Sequence, residues 1–401
     1  ALTKEKADDM IQKNTLKRQV FFHFLTGLIF MRIAIEATQA QKEATGFGYY
    51  VIRLLQAFSE LETGHEFLLF HATRDWKGEN FGRNFAPISY WNPTGKQSAA
   101  IFFSLNSKLL REKADLFHAT CSTGLPWKLD IPGIATVHDL YPLHHASHSA
   151  LLQACFFRLL WAPVKRNAAH ILCNSEFTMH ELERLEGIPR EKMTVTSLGP
   201  GMGSSCRASD FAHGKKGEKI FLCVGGIEYR KNQLMLARAY QKARKYDSSL
   251  PPLVFLGPPR TEGEELEDII RSSSGSAPAA IRYLHYVPEQ ELLEYYERAE
   301  LLCVPSRYEG FGLPLLEAME RKLPVLASDI PVFHEVGGEY PYYIDPEDQN
   351  AWTEAFLKFH RRDLTDCFSE AIRQERLAAH SWKRCAELTL GVYEKVASGR
   401  R

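Results

Sequence analysis

The stretch LLCVPSRYEGFGLPLLE, residues 301–317, decides how the rest of the chain is read. A short apolar run of strand character leads into two glycines and then a helix-like segment opened by Pro314. Proline suits a first helical turn, where the amide it lacks would have no intrahelical partner. Gly310 and Gly312 let the main chain approach a ligand closely, and the free amides at the helix start can donate to phosphate or sugar hydroxyls. If Glu309 and Glu317 were both helical, they would lie about two turns apart on roughly one side. A carboxylate accepts two hydroxyls at once, which suits a sugar or a ribose. On spacing alone a second reading stays open, with Glu317 a charge favoured by the helix dipole and the glycines a plain turn.

Outward from this stretch the chain alternates strands and helices. Upstream, IFLCVGG (220–226), PLVFLG (252–257) and IRYLHYV (281–287) read as strands, and PVLAS (324–328) follows downstream. Before them runs a first series: MRIAIEA (31–37), EFLLFHA (66–72), PISYWN (87–92), LFHAT (116–120), GIATVHD (133–139), HILCNS (170–175) and TVTSLG (194–199). Helical spacing appears at 46–61 and 98–114, and a long helical stretch precedes HILCNS. Such alternation gives parallel sheets covered by helices on both faces. The restart after the Gly- and Ser-rich stretch 200–219 implies two doubly wound α/β domains. The expected division is an N-terminal extension at 1–30, a first Rossmann-like domain at 31–200 and a linker at 201–217. A second such domain then fills 218–380, and an amphipathic helix closes the chain at 381–401. Ligands of such sheets bind outside the carboxyl ends of the strands, so the cleft between the domains is the natural site.

Composition fits a globular protein: 401 residues, 45% hydrophobic, 24% charged. Lys plus Arg and Asp plus Glu both number 49, which argues against a surface built to hold nucleic acid. The eight cysteines are scattered without a C-x-x-C pair, and Cys173, Cys223 and Cys303 fall inside apolar strand runs. This reads as a reducing compartment with neither a disulfide framework nor a zinc site. In LKRQVFFHFLTGLIF (16–30) the apolar run falls far short of the ~20 residues that span a bilayer, leaving a packing helix, an extension or an interfacial anchor.

Three further motifs carry chemistry. In VGGIEYRKNQ (224–233) a strand ends at two glycines and Asn232 is a suitable helix N-cap. Arg230 and Lys231 then sit at a helix N-terminus, where the macrodipole disfavours cations unless a bound diphosphate removes the conflict. The other reading of this pair is an exposed one screened by water. TGFGYY (45–50) reads as a glycine turn between the first strand and helix, open either to a phosphate or acceptor or to no ligand at all. His138 and Asp139 end an apolar strand, where a histidine can hydrogen-bond a sugar or shuttle a proton, or be purely structural. His144, His145 and His148 lack the carboxylate or cysteine partners of a metal site. The chain also contains no Asp-x-Asp triplet of the kind that holds magnesium, so the positive charge on a leaving diphosphate would come from Arg230, Lys231 and helix amides.

Together these residues resemble the family 4 retaining glycosyltransferases with the GT-B fold, nearest in flavour to bacterial mannosyltransferases of cell-surface polysaccharide synthesis such as lipopolysaccharide. The resemblance runs from Met31 through Gly46–Gly48, VHD (137–139), CNSEF (173–177), RKN (230–232) and EGFGLPLLE to the SW…VYEKVA helix. It implies a hexosyl transfer, mannosyl favoured, from a GDP- or UDP-linked donor to a glycan or lipid-linked glycan acceptor, with no metal and no other cofactor. By the same resemblance Lys231 and Arg230 neutralise the diphosphate. Glu309, with the main chain at Gly310, Phe311, Gly312 and Leu313, holds the transferred sugar. Glu317 takes the ribose, Val287 lies near the base, Gly46 and Gly48 lie near the distal phosphate, and His138 touches sugar or acceptor. The closing helix crosses back to the first domain. Gly226 stands where some relatives carry an arginine, Glu36 where an aspartate is common, and Tyr229 where a proline is frequent. A nucleotide-sugar 2-epimerase and a non-catalytic sugar-nucleotide-binding subunit share this architecture and are the rival functions. The resemblance also implies a cytoplasmic enzyme, with peripheral contact at the inner face of a membrane through 21–30 or Lys165–Arg166 as an option.

Overall fold

The computed structural model describes residues 30–40, 46–61, 63–90, 104–144, 151–201, 217–273 and 280–399. The first half runs β1 (Arg32–Glu36), α1 (Gly46–Glu60), β2 (Glu66–His71), β3 (Phe85–Ser89), α2 (Leu105–Arg111), β4 (Leu116–Ala119) and β5 (Gly133–Val137). It continues with α3 (Tyr141–His144), α4 (Leu151–Asn167), β6 (Ala168–Cys173), α5 (Glu176–Glu186) and β7 (Met193–Val195). The second half runs β8 (Ile220–Val224), α6 (Gln233–Tyr246), β9 (Leu253–Leu256), α7 (Gly263–Ser273), β10 (Ile281–Leu284), α8 (Glu289–Arg298) and β11 (Ala299–Val304). Then come α9 (Leu313–Glu320), β12 (Val325–Ser328), α10 (Pro331–Gly337), β13 (Tyr342–Ile344), α11 (Gln349–His360), α12 (Glu370–Ala379) and α13 (Trp382–Ser398).

The strands form two parallel sheets, a seven-stranded one in the order β3-β2-β1-β4-β5-β6-β7 and a six-stranded one in the order β10-β9-β8-β11-β12-β13. Every residue of β4, β5, β9 and β12 is buried, as expected of strands with helices on both faces. One apolar cluster reaches from β1 and α1 (Ile33, Leu54, Phe58) through α13 (Cys385, Tyr393) to β8 and α9 (Leu222, Leu315). The opposite faces have their own cores, around Phe117 and Val137 in the first sheet and around Phe221, Tyr240 and Trp352 in the second. Each fully buried side chain of that size contributes roughly 1.5–3 kcal/mol.

The last helix lies against the first domain. Ser381 caps it by accepting from the Arg384 amide (3.2 Å), and its Tyr393 hydroxyl meets His118 Nδ1 at 2.6 Å beneath β4. His118 Nε2 in turn meets the Thr136 hydroxyl at 2.7 Å, and Tyr50 on α1 meets the same hydroxyl at 2.9 Å. Burial drives the His118 pKa down to about 3, so this network is neutral.

Several sequence expectations shift. β3 ends at Ser89, short of the reading 87–92, and the helix expected at 98–114 is seen from Leu105, with 98–103 outside the described residues. β13 was not expected: its three residues are too short for periodicity and pair only through β12. Asn232 takes the N-cap position of α6, where its carbonyl accepts from the Leu236 amide, but its side chain makes no capping bond. It adopts a left-handed backbone (φ 58°) and donates its side-chain amide to the Pro346 carbonyl at 2.7 Å, a partner distant in sequence. The extension at 1–29 and the linker core at 202–216 lie outside the described residues.

Candidate active site

In each sheet the strand order reverses once, between β1 and β4 in the first and between β8 and β11 in the second. Such a reversal opens a crevice at the carboxyl ends of the two strands. In the second sheet the loops leaving those ends are Gly225–Asn232 and Pro305–Gly312, so topology brings VGGIEYRKN and EGFG together although they lie about 80 residues apart.

Tyr229–Lys231 form a single 3-10 turn. From it Arg230 reaches Glu309 Oε2 at 3.0 Å and Glu228 at 2.8 Å, while Lys231 Nζ pairs with Glu309 Oε1, which the Ser306 hydroxyl also meets at 2.8 Å. The reading of Arg230 and Lys231 as an exposed pair is therefore overturned: their side chains are 19% and 15% exposed and face a carboxylate that is itself buried. Burial pushes the Glu309 carboxyl up, but Lys231, Arg230 and the Ser306 hydroxyl more than offset it and hold it below the usual range. Burial also opposes charge on Arg230, and Glu309, Asp139 and Glu228 outweigh it. A charge pair at ~4 Å is worth about 1 kcal/mol in bulk water and about 4 kcal/mol at the effective dielectric of a protein surface cleft. These cations can therefore act on a phosphate far more strongly here than on an open surface.

At Gly310 the main chains of the two domains come close together. A Cβ built on it would stand 1.7 Å from the His138 carbonyl oxygen. Gly312 (φ 108°) turns the chain into α9, where a side chain would meet the Phe333 ring at 2.9 Å. Phe311 is buried and Leu313 begins the helix. Glu309 thus stands in a loop and Glu317 in a helix, so the two are not successive turns of one helix face. Glu317 is buried on α9, its Oε2 accepting from the Tyr296 hydroxyl at 2.7 Å and its Oε1 packed against Gly201. Burial holds its carboxyl above the usual range, despite the Tyr296 hydroxyl. Val287 lies in the segment after the edge strand β10, on the same side of the sheet.

Across the cleft, His138 directly follows β5, with its ring against Phe47 (5.0 Å) and Tyr50 (4.7 Å). Its Nε2 meets the Thr120 carbonyl at 3.0 Å. A carbonyl only accepts, so Nε2 carries the proton and Nδ1 is the ring's lone-pair nitrogen. Burial lowers the pKa to about 4, which disfavours the proton-shuttle reading at neutral pH and leaves a neutral hydrogen-bonding ring. Gly46 and Gly48 lie in the first turn of α1 rather than in a turn before it. Their neighbour Phe47 touches His138, so this helix start also points into the cleft. His144 pairs with Glu186 at 2.8 Å, while His145 and His148 lie outside the described residues.

Three contributors escaped sequence reasoning, and a fourth, Asp139, was named only as the neighbour of His138. Asp139, half-buried beside Arg230 and Glu309, is held above the usual carboxylate range by desolvation. Ser306 and Tyr296 bind the two glutamates. Arg260, from the turn after β9, lies over Gly226, where an added Cβ would meet its Cγ at 3.1 Å. A cation thus stands beside the position left empty by that glycine, but the sequence offset of 34 residues gives no local signal for it.

Two family models match successive parts of the chain. Residues 44–199 match the model described as Glycosyltransferase Family 4, and residues 207–374 match Glycosyl transferases group 1. The O-antigen chain mannosyltransferase B of Escherichia coli is 25% identical over 382 residues, covering 91% of this chain and all of that protein. The O-antigen chain mannosyltransferase RfbU of Salmonella typhimurium is 30% identical over 234 residues, 58% of this chain and 62% of the relative. Among solved structures, a sucrose-phosphate synthase from Thermosynechococcus elongatus superposes with a TM-score of 0.71 at 17% identity, covering 92% of this chain and all of that one. The Anabaena protein HepE in complex with UDP and glucose gives 0.65 at 13% identity, covering 91% and 100%. With two parallel-sheet domains, a charged crevice at the second sheet's reversal and these relatives, the chain belongs to the GT-B glycosyltransferases, with a family 4 domain followed by a group 1 domain.

Proposed function

We propose that this glycosyltransferase moves a hexosyl group, mannosyl favoured, from a GDP- or UDP-linked donor to an acceptor hydroxyl of a growing glycan, with retention of anomeric configuration and without a metal ion. The observation that carries the reading is the convergence of Arg230 and Lys231 on Glu309 at the crevice of the second sheet. The mannosyl preference rests on relatives named as O-antigen chain mannosyltransferases.

In this reading the diphosphate enters beside Arg230 and Lys231, and Glu309 turns from them to the hydroxyls of the transferred sugar. Gly310, Phe311, Gly312 and Leu313 present main chain to that sugar, Glu317 takes the ribose, Val287 borders the base, and the start of α1 at Gly46 and Gly48 faces the distal phosphate. His138 accepts a sugar hydroxyl through Nδ1. Negative charge grows on the leaving phosphate as the glycosidic bond breaks, and preorganised cations stabilise that charge more than the ground state. The leaving phosphate takes the acceptor proton on the same face. No protein nucleophile is assigned.

A thermal-shift screen against GDP-, UDP- and ADP-sugars tests the donor, because a ligand that binds only the folded state raises its apparent stability. Proton NMR of the product then reads the anomer, with and without EDTA. An inverted product, or turnover abolished by EDTA and restored by a divalent cation, sinks the corresponding half of the reading. Incubation with donor alone separates transfer from 2-epimerisation.

A nucleotide-sugar donor fits a cytoplasmic enzyme, and a lipid-linked acceptor fits contact with a membrane. Among the described residues no helix is long and apolar enough to cross one. On α4, Phe156 and Leu159 are 48% and 51% exposed beside the exposed cations Arg158, Lys165 and Arg166. A helix displaying apolar side chains and cations together suits an anionic lipid surface. Co-sedimentation with anionic vesicles that survives Phe156→Ser together with Leu159→Ser would remove this contact.

A further inference from the structure

The CNSEF segment carries no donor or acceptor role in the reaction proposed above, yet the structure places it on the seam between the domains. Asn174 donates to the His138 carbonyl at 2.9 Å. Ser175 caps α5 by accepting from the Thr178 amide (3.0 Å) and donates across the seam to the Gly310 carbonyl at 2.7 Å. The Thr178 hydroxyl reaches the same carbonyl at 3.2 Å. From the second domain, Glu335 on α10 returns the contact: its two carboxylate oxygens accept from the Glu176 amide at 2.7 Å and the Phe177 amide at 2.9 Å. These are the first two amides of α5, which have no partner inside their own helix. The Phe177 ring packs on Tyr308 (5.7 Å), and the Leu140 amide donates to the Tyr308 hydroxyl at 3.3 Å.

We propose that Glu335 is a positioning residue: with Ser175 it clasps the first turn of α5 to the second domain, and so fixes the Glu309–Gly312 loop against His138 in the arrangement needed for transfer. The physical reason is that no side chain at Gly310 can secure the loop, because any Cβ there would strike the His138 carbonyl. The loop is held by its carbonyl instead, through hydroxyls on a helix whose end Glu335 anchors. Without that carboxylate, two helix amides and a hydroxyl-bound loop face an open seam that water can enter. The proposal rests on the glycosyl-transfer reading only for its kinetic consequence.

The experiment uses the full chain with Glu335→Ala and Glu335→Gln, read by amide hydrogen exchange, melting temperature and steady-state release of GDP from GDP-mannose. In E335A, exchange should quicken at amides 176–178 and also at 311–313, while strands β1 and β2 stay protected. The kcat should fall roughly 10- to 100-fold while the donor KM moves by less than about threefold, the mark of lost alignment rather than lost binding. E335Q keeps one acceptor oxygen and should fall between. Unchanged exchange at 176–178 overturns the clasp. Quickened exchange there with 311–313 and kcat unchanged overturns the positioning role. If E335A does not fold, E335Q carries both readouts. If the wild type turns over no nucleotide sugar at all, the functional reading fails, and exchange at 176–178 still decides the clasp while exchange at 311–313 decides the positioning.

Discussion

The two carboxyl-end crevices of this molecule face each other and are built from opposite chemistry. On the second sheet, Arg230, Lys231, Glu228 and Glu309 form a half-buried lattice of full charges. On the first, His138 lies neutral between Phe47, Tyr50 and a main-chain carbonyl, with the neutral His118–Thr136–Tyr50 network beneath it. A diphosphate leaving group needs charge at a fixed place, whereas a sugar needs oriented neutral donors and acceptors around an apolar wall. The difference predicts which substitutions hurt most.

The largest effect is expected at Lys231. K231A removes a preorganised cation from the leaving group and should lower kcat by about 100- to 1,000-fold, measured as donor turnover at saturating sugar nucleotide. A variant with near-native kcat breaks the assignment of charge to the second crevice. Gly310→Ala comes next. Its Cβ cannot coexist with the His138 carbonyl, so the crevices must part, and kcat should fall by at least about 10-fold with little change in donor KM. Small-angle scattering should show a larger radius for this variant, and unaltered activity would mean that the two edges need not touch.

Glu309→Gln sharpens the comparison through stability. Without nucleotide the variant leaves two cations partly uncompensated and should lose about 1–3 kcal/mol in denaturant titration. Added GDP should recover more stability in the variant than in the wild type, because its diphosphate meets cations no longer held by a carboxylate. Equal recovery would mean that Glu309 does not compete with phosphate.

The smallest effect concerns pH. Burial lowers the folded pKa to about 3 for His118 and about 4 for His138, against an ordinary value near 6.5 in the unfolded chain. Between those limits the unfolded state binds more protons, so stability rises with pH up to about 6.5 and is lost progressively as pH falls toward 4. His118→Asn should flatten that slope in melting curves, whereas turnover should show no His138 inflection between about pH 6 and 8. An inflection near 6.5 that vanishes in H138N would return His138 to a proton-transfer role.

Legibility follows the same divide. EGFGLPLLE and RKN stood out because each gathers glycines or charges within one loop, and those loops sit at strand ends that apolar runs make visible. The alternation of such runs also gave both sheets nearly strand for strand, missing only the three-residue β13 among those described. Arg260 and Glu335 were not readable as site components, and Asp139 was readable only as the strand-end neighbour of His138, not as a partner of Arg230. Each acts on a group brought near by packing: Asp139 on Arg230 across the seam, Arg260 over Gly226 from the neighbouring strand's turn, Glu335 on helix amides about 160 residues away. The same holds for Asn232, a sound N-cap by type whose side chain instead bonds Pro346 from a left-handed backbone.

By itself the sequence determined the two parallel sheets and the identity of the charged residues at the second sheet's strand ends, because hydrophobic periodicity and short motifs are local properties of the chain. Only the tertiary structure decided that Lys231 and Arg230 close on Glu309, that His138 is neutral with a fixed proton, and that Glu335 ties the domains together. Pairing, burial and protonation depend on which surfaces meet, and that is set by how the two sheets pack around the shared core of α1, α9 and α13.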